Sequence, residues 1–483
     1  MSFFPQPSIQ NLRYAVHLRE TLFLSVPVII GQLGQVMMGV IDTKMIGALG
    51  PVPISAAALG HAMHILVIIV SFGVCFMMAS LSAEAKAQQN ESYLGSLFKQ
   101  GIITAILLGM IITPVNYLSA ELFYVMDQPV SDIEPAASYL RILSWSILPA
   151  IIFLMAKSFV DGLSLTRPAM YVTLVGLVLN VGANWILIYG KFGFPRLELD
   201  GAGYGTVFSR AAMALMMVGY ILWHKKLKAY AQGGWRMQWQ VVRRILKLGI
   251  PAGFQYLFEV GAFAGAAFLI GYLGSLPRAA HQIVITIASV TFMVALGISS
   301  GASIRVGDAF GRKNRREMRR AGYAGIILVA GFMSMMAILF VFLREALPSL
   351  FLVLEPGASP QQIPDQQVVL GMASQLMLLA AFFQLFDGVQ AVGLGILRGI
   401  QDTFVPTLVT FIVYWVIALP LASLFAFVFH WGVNGVWIAL VLSLVLASVM
   451  HTIRFSAKTR VKLLEEEVSS IPKTNIGKSK TAV

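Results

Sequence analysis

Two acidic residues stand inside long apolar stretches: Glu259 in "LFEVGAFAGA" and Asp387 in "AAFFQLFDGVQAVGLGILRG". At membrane depth a carboxylate costs at least about 2.5 kcal/mol, so such residues normally face a protein interior or a water-filled cavity and mark ion or substrate pathways. Two carboxylates on different helices, facing one cavity, can bind one cation or share a proton. Sodium would need several oxygens at one point, from the pair, from backbone carbonyls or from water. The competing explanation for each acid is a neutral hydrogen-bond partner with a structural role only.

The other ionisable residues considered away from the ends of apolar runs are Asp42, with Lys44 two residues on, and Lys157 and Asp161. Two positions on a helix are about 200° apart, so Asp42 and Lys44 should point different ways. Lys157 and Asp161 are i, i+4 neighbours and read as a local pair. In "LNVGANWILIYG" Asn180 and Asn184 share one helical face, and Ala202 and Thr206 have the same spacing in "DGAGYGTVFSR". With Asp42 these polar groups would line a cavity in the N-terminal half; interhelical hydrogen bonding between closely packed small residues is the plainer account. His61 and His64 are three apart but lack a third ligand, which favours packing over metal binding. Asp308 falls in a basic loop, as a structural or gating residue.

These residues need a membrane to position them. The 483-residue chain is 58% hydrophobic and 12% charged, with a mean hydropathy of +0.78, whereas a soluble protein has about 25% charged residues. Twelve apolar spans are expected, at roughly 22–45, 57–82, 98–120, 137–162, 169–190, 202–223, 245–272, 280–304, 321–343, 367–397, 404–428 and 433–455. Their length makes them helices rather than barrel strands. The fold class is therefore an all-α polytopic membrane protein.

The net charge of +13 sorts into topology signals rather than a nucleic-acid surface. "HKKLKAYAQGGWRMQWQVVRRILK", "RVGDAFGRKNRREMRR" and the tail are basic, while "ELFYVMDQPVSDIEPAAS" is acidic and "LVLEPGASPQQIPDQQ" lacks Lys and Arg. Even helix counts separate the basic segments, which predicts that both termini are cytoplasmic. The single Cys75 excludes an intramolecular disulfide and any cysteine-rich metal site.

The chain also repeats. At an offset of 224 residues Pro27 falls on Pro251, "IGALG" (46–50) on "IGYLG" (270–274), Pro53 on Pro277, Gly73 on Gly297, Glu84 on Asp308 and Asn90 on Asn314. "DGLSLTRP" (161–168) resembles "RGIQDTFVP" (398–406). Six helices per copy is an even number, so the copies share one orientation about an axis along the membrane normal, a transporter pattern with the substrate site between halves. The organisation expected is an N-terminal lobe (1–223), a basic linker (224–244) with Trp235 and Trp239 at the interface, a C-terminal lobe (245–455) and a polar tail (456–483).

"GVIDTKMIGALG", "DGLSLTRPAM", "LNVGANWILIYGKFG", "ASIRVGDAFG" and "QLFDGVQAVGLGILRG", in that order, resemble the multidrug and toxic compound extrusion (MATE) family over essentially the full length. Glu259 in "LFEVG" and Asp387 in "FDGVQ" are similar to its NorM-type branch. The resemblance implies twelve helices in two six-helix lobes in a bacterial inner membrane, exporting organic cations and amphipathic drugs against inward sodium or protons. It implies a C-lobe cation site at Glu259 and Asp387 with Phe292 nearby, and an N-lobe polar site at Asp42, Asn180, Asn184 and Thr206. The branch often carries Tyr four residues before the second acid; here Phe383 stands there, without a hydroxyl.

No cofactor is expected beyond the coupling ion, and no metal beyond sodium at Glu259 and Asp387. The partners expected are small-molecule drugs and membrane lipids, with the protein a monomer. A lipid-linked precursor flippase of the same superfamily would want a basic central cavity, against the mainly acidic charges found. A membrane enzyme would want an H-E-x-x-H motif, which the sequence lacks, or a G-x-S-x-G elbow at a strand-to-helix turn; the match to the latter, "GISSG" at 297–301, lies inside the apolar span expected at 280–304.

Overall fold

A computed structural model describes residues 14–125, 130–351 and 362–460. The tail from residue 461, residues 126–129 of the acidic loop and residues 352–361 lie outside the described residues. Among those described there is no strand.

The first half comprises α1 (Tyr14–Gly47), α2 (Pro51–Ala87), α3 (Glu91–Leu118) with a 3-10 extension, α4 (Val130–Ser144), α5 (Ile147–Gly162), α6 (Thr166–Tyr189), α7 (Glu198–Trp223) and the short α8 (Lys228–Ala231). The second half comprises α9 (Trp239–Gly271), α10 (Ser275–Gly311), α11 (Arg315–Phe342), the short α12 (Ala346–Ser349) and α13 (Gln362–Gly399). It continues with α14 (Phe404–Phe411), a π-helical segment (Ile412–Ala418), α15 (Leu419–Ser423), a second π-helical segment (Leu424–Val428) and α16 (Gly432–Lys458).

Eleven helical stretches are long and apolar enough to cross a membrane, and the pair α4–α5, bent by 44°, makes a twelfth. The span expected at 137–162 is thus two helices. Pro149 in the first turn of α5 has no N–H to donate, and the Ser144 and Ser146 hydroxyls bond back to Leu140 O (2.7 Å) and Leu143 O (2.6 Å) at the break.

The offset of 224 residues carries α2 onto α10 and α3 onto α11 end for end. Local chemistry explains the match. Gly50 (φ 117) and Gly274 (φ 120) hold a backbone conformation closed to other residues at the same turn. Asn90 and Asn314 cap the next helix, accepting from Tyr93 N (3.0 Å) and Glu317 N (3.1 Å). Pro27 and Pro251 sit inside α1 and α9.

Each half has its own core. Val74, Met77, Leu81, Phe98 and Phe159 centre one in the first half; Phe340, Phe383, Tyr414 and Trp437 centre another in the second. Large side chains such as Phe23, Val178, Leu215 and Phe342 remain exposed around the perimeter, as a lipid-facing surface requires.

The halves meet through α2 on α9 and, at the pseudo-equivalent place, α1 on α10. At the first crossing a Cβ on Gly73 would lie 2.0 Å from Gly253 N, so the two backbones touch. The halves also close on each other at the end that carries the basic linker. There Arg244 Nη2 donates to Glu84 Oε2 (2.8 Å) and Gln401 Oε1 (3.0 Å), Gln401 Nε2 donates to Glu84 Oε2 (2.6 Å), and the Ser80 and Ser303 hydroxyls lie 3.0 Å apart. On the other flank Arg305 pairs with Glu20 (2.6 Å) and donates to His17 O (2.6 Å).

Candidate functional site

The two acids of the second half come together. α9 presents Glu259 and α13 presents Asp387; both are buried and lie within electrostatic reach of each other. Asp387 Oδ1 has no hydrogen-bond partner. Gln390, one turn further along α13, faces Glu259, yet neither amide atom closes a hydrogen bond of normal geometry. Tyr414, fully buried on the first π-helical segment, has its hydroxyl within electrostatic reach of both carboxyls. Toward the basic end Arg398 donates to Tyr256 Oη (2.7 Å) and Ser299 Oγ (3.4 Å), and its charge reaches Glu259. With both acids ionised the group carries one excess negative charge, which one monovalent cation or one proton neutralises. Phe292 packs against the cluster around Ala295, Ile298 and Val392, the last on the helix that carries Asp387.

In the first half Asn184 Nδ2 donates to Asp42 Oδ1 at 2.5 Å, joining α6 to α1. Asn180 Nδ2 reaches Ser209 Oγ at 3.5 Å. The carbonyl oxygens of both amides are buried without a hydrogen-bond donor. Thr206 spends its hydroxyl on Ala202 O (3.0 Å), so it lines the same face of α7 as Ser209 but does not bond to Asp42. Lys44 is exposed while Asp42 is half-buried, as their angular separation requires. Lys157 and Asp161 pair at 2.6 Å inside the core.

Arg210, near the middle of α7, is a functional residue not among those expected from the sequence. Its signal was the same as that of Glu259: a charge within an apolar run. Arg210 Nη1 donates to Ser146 Oγ (2.7 Å) and meets His64 Nε2 (3.0 Å). It is within electrostatic reach of Asp42, with no carboxylate within 4 Å among the described residues. His64 is therefore occupied on both sides, by Arg210 and by Asn116 at 3.3 Å. Glu84 and Arg305 were also missed as partners between the lobes. α2 and α10 project beyond their apolar runs, to Ala87 and Gly311, where the expected spans ended at 82 and 304.

Residues 27–186 and 251–424 match the MatE family model in two stretches, whose starts are separated by the repeat offset. The chain belongs to the MatE family. MatE proteins are transporters, not enzymes. "Probable multidrug resistance protein NorM" of Rhizobium meliloti (strain 1021) is 32% identical over 444 residues, covering 92% of this chain and 94% of that relative. The protein of the same name from Pseudomonas putida (strain KT2440) is 34% identical over 440 residues, covering 91% and 94%. A solved "outward-facing conformation of a multidrug resistance MATE family transporter" superimposes with a TM-score of 0.82 at 19% identity, covering 94% of this chain and 100% of that one. A MATE structure "in the bent conformation" gives 0.81 at 18% identity, covering 95% and 100%. These likenesses establish the MatE fold of two six-helix lobes.

Proposed function

We propose that this chain is a secondary active multidrug efflux antiporter. It exports organic cations and amphipathic drugs in exchange for inward sodium or protons, by alternating access between the lobes. The observation that carries the proposal is the buried Glu259–Asp387 pair, which, with both acids ionised and Arg398 beside them, carries one cation's worth of negative charge, and whose Asp387 Oδ1 lacks a hydrogen-bond partner. The names of the relatives support drugs as substrates. An arriving cation neutralises the pair, the hold on a cationic drug weakens, the drug leaves outward, and the emptied lobes rock back. The basic end, now closed by Glu84, Arg244 and Gln401, is the cytoplasmic end in this account, as the distribution of Lys and Arg favours.

The test is export of a fluorescent cationic dye from proteoliposomes under a sodium gradient alone or a pH gradient alone. Glu259→Gln and Asp387→Asn should each reduce ion-driven export by about a hundredfold, the upper range of coupling between sites. Wild-type rates in both variants would make the carboxylates structural.

A further inference from the structure

Arg210 is a cation held by neutral groups. It stands near the middle of the membrane-spanning α7, where a charge without a partner is among the costliest groups a fold can keep. No carboxylate lies within 4 Å of it among the described residues. Nη1 meets Ser146 Oγ (2.7 Å) and His64 Nε2 (3.0 Å). A guanidinium only donates, so Nε2 accepts and His64 adds no charge of its own. Behind them Asn116 Nδ2 reaches His64 Nδ1 (3.3 Å) and Ser144 Oγ (2.8 Å). His64, Asn116, Ser144 and Ser146 are all buried. Together they fix the guanidinium at the break between α4 and α5.

That anchoring engages one corner of the group. Of its five N–H donors, the bonds use only those on Nη1; Nε and Nη2 bond to no described residue. Arg210 is half-buried, and its head group sits among α2, α5 and α7, so the open edge is inside the N-terminal lobe. A residue kept only to staple the break would need a single N–H, which a neutral amide supplies without the cost of a charge. A fixed guanidinium with its Nε–Nη2 edge open is instead the arrangement that receives a carboxylate through two parallel hydrogen bonds.

We propose that this edge is a subsite for the carboxylate of an amphipathic substrate, so that the transporter accepts zwitterions as well as cations; this rests on the efflux function proposed above. The cationic end of such a substrate has a partner in the same lobe. Asn184 holds Asp42 at 2.5 Å and abuts α7 at Gly205, where a Cβ would lie 2.0 Å from Asn184 Oδ1. Gly205 and Arg210 are five residues apart, about 7.5 Å along the helix. A molecule with an amine and a carboxylate separated by one or two rings spans that interval, each end meeting its opposite charge.

The experiment uses two dyes that differ at one group. Rhodamine B has a free carboxylate and is a zwitterion at neutral pH; its ethyl ester is a cation of nearly the same shape. Binding of each to the purified full-length protein is read by fluorescence polarisation for wild type, Arg210→Gln and Arg210→Lys, with thermal unfolding recorded for all three. Wild type should bind both dyes. Arg210→Gln should weaken the acid about tenfold or more, the scale of charge-assisted hydrogen bonds, while the ester binds at least as tightly as before. Arg210→Lys keeps the charge without the fork and should lose less of the acid. Unchanged acid binding by Arg210→Gln, or a loss shared equally by acid and ester, would overturn the subsite and make Arg210 a structural staple. A wild type that binds the ester alone would overturn it too, and that result needs no variant to fold. Export of both dyes from proteoliposomes under sodium and pH gradients separates the subsite from the function it rests on. Acid-selective loss of binding with no gradient-driven export of either dye would end the antiport function and leave the carboxylate subsite standing. Gradient-driven export of the ester alone would keep the antiport function and overturn the subsite.

Discussion

The two lobes share their backbone plan but not their chemistry. Shifted by 224 residues, Glu259 falls on Gln35 and Asp42 on Ala266, although the helices carrying them match. The C-lobe group concentrates two carboxyls, with Arg398 anchored beside them on Tyr256. The N-lobe group has one carboxyl, held by Asn184 and faced at a distance by Arg210. If both are ionised, Asp42 and Arg210 cancel, whereas the C-lobe pair keeps an excess negative charge. Duplication thus conserved caps, turns and crossing points, which define how helices pack, and left the interior charges free to diverge. In the transport scheme the C-lobe holds the coupling ion, and the N-lobe offers separated charges of opposite sign.

The sharpest way to break this division of labour is to stop the lobes moving. In a Cys75→Ser background, Ser80→Cys with Ser303→Cys places two thiols where hydroxyls lie 3.0 Å apart, close enough for a disulfide after small adjustment. Oxidation should abolish dye export, and dithiothreitol should restore it. Export that survives oxidation would show that the basic end need not open.

A smaller effect is expected inside the N-lobe. A Cβ at position 205 would lie 2.0 Å from Asn184 Oδ1. Gly205→Ala should push Asn184 off Asp42 and lower stability by about 1–3 kcal/mol, as overpacking does; denaturation in detergent measures it. It should leave sodium binding in the C-lobe unchanged, and a loss there would show that the two groups are coupled.

The smallest effect sharpens the role of Arg210. Arg210→Gln removes a positive charge facing any cation bound at Asp42. Affinity for a cationic dye should rise about fivefold, the size of roughly 1 kcal/mol between charges a few ångströms apart in a solvated site. Unchanged binding, measured by fluorescence polarisation, would put Arg210 outside the substrate path.

Much of this was legible in the sequence. Apolar runs located the crossings, and Asn90, Asn314, Gly50 and Gly274 marked turns whose chemistry the structure repeats. Glu259 and Asp387 stood out because a charge in an apolar run is rare. Arg210, in the apolar span 202–223, is legible by the same rule. Tyr414 and Gln390 could not be found in this way: uncharged residues in an apolar helix give no compositional signal, and hydropathy does not report the π-helical segment on which Tyr414 lies. Thr206, expected in the N-lobe polar site, donates its hydroxyl to its own preceding turn, as a threonine in a helix can.

The contact of Gly73 with Gly253 has a mechanical consequence. Bodies that rock against each other need a fulcrum, and two glycines provide one because no side chain stands between the helix axes. Along α2, Gly73 lies about 21 Å from the basic end and about 33 Å from the other, at 1.5 Å per residue. The lever arms are unequal. A given parting at the basic end is matched by a movement roughly one and a half times larger at the opposite mouth, set by these same arms. In the transport scheme proposed above, the narrower aperture belongs to the side with the latch.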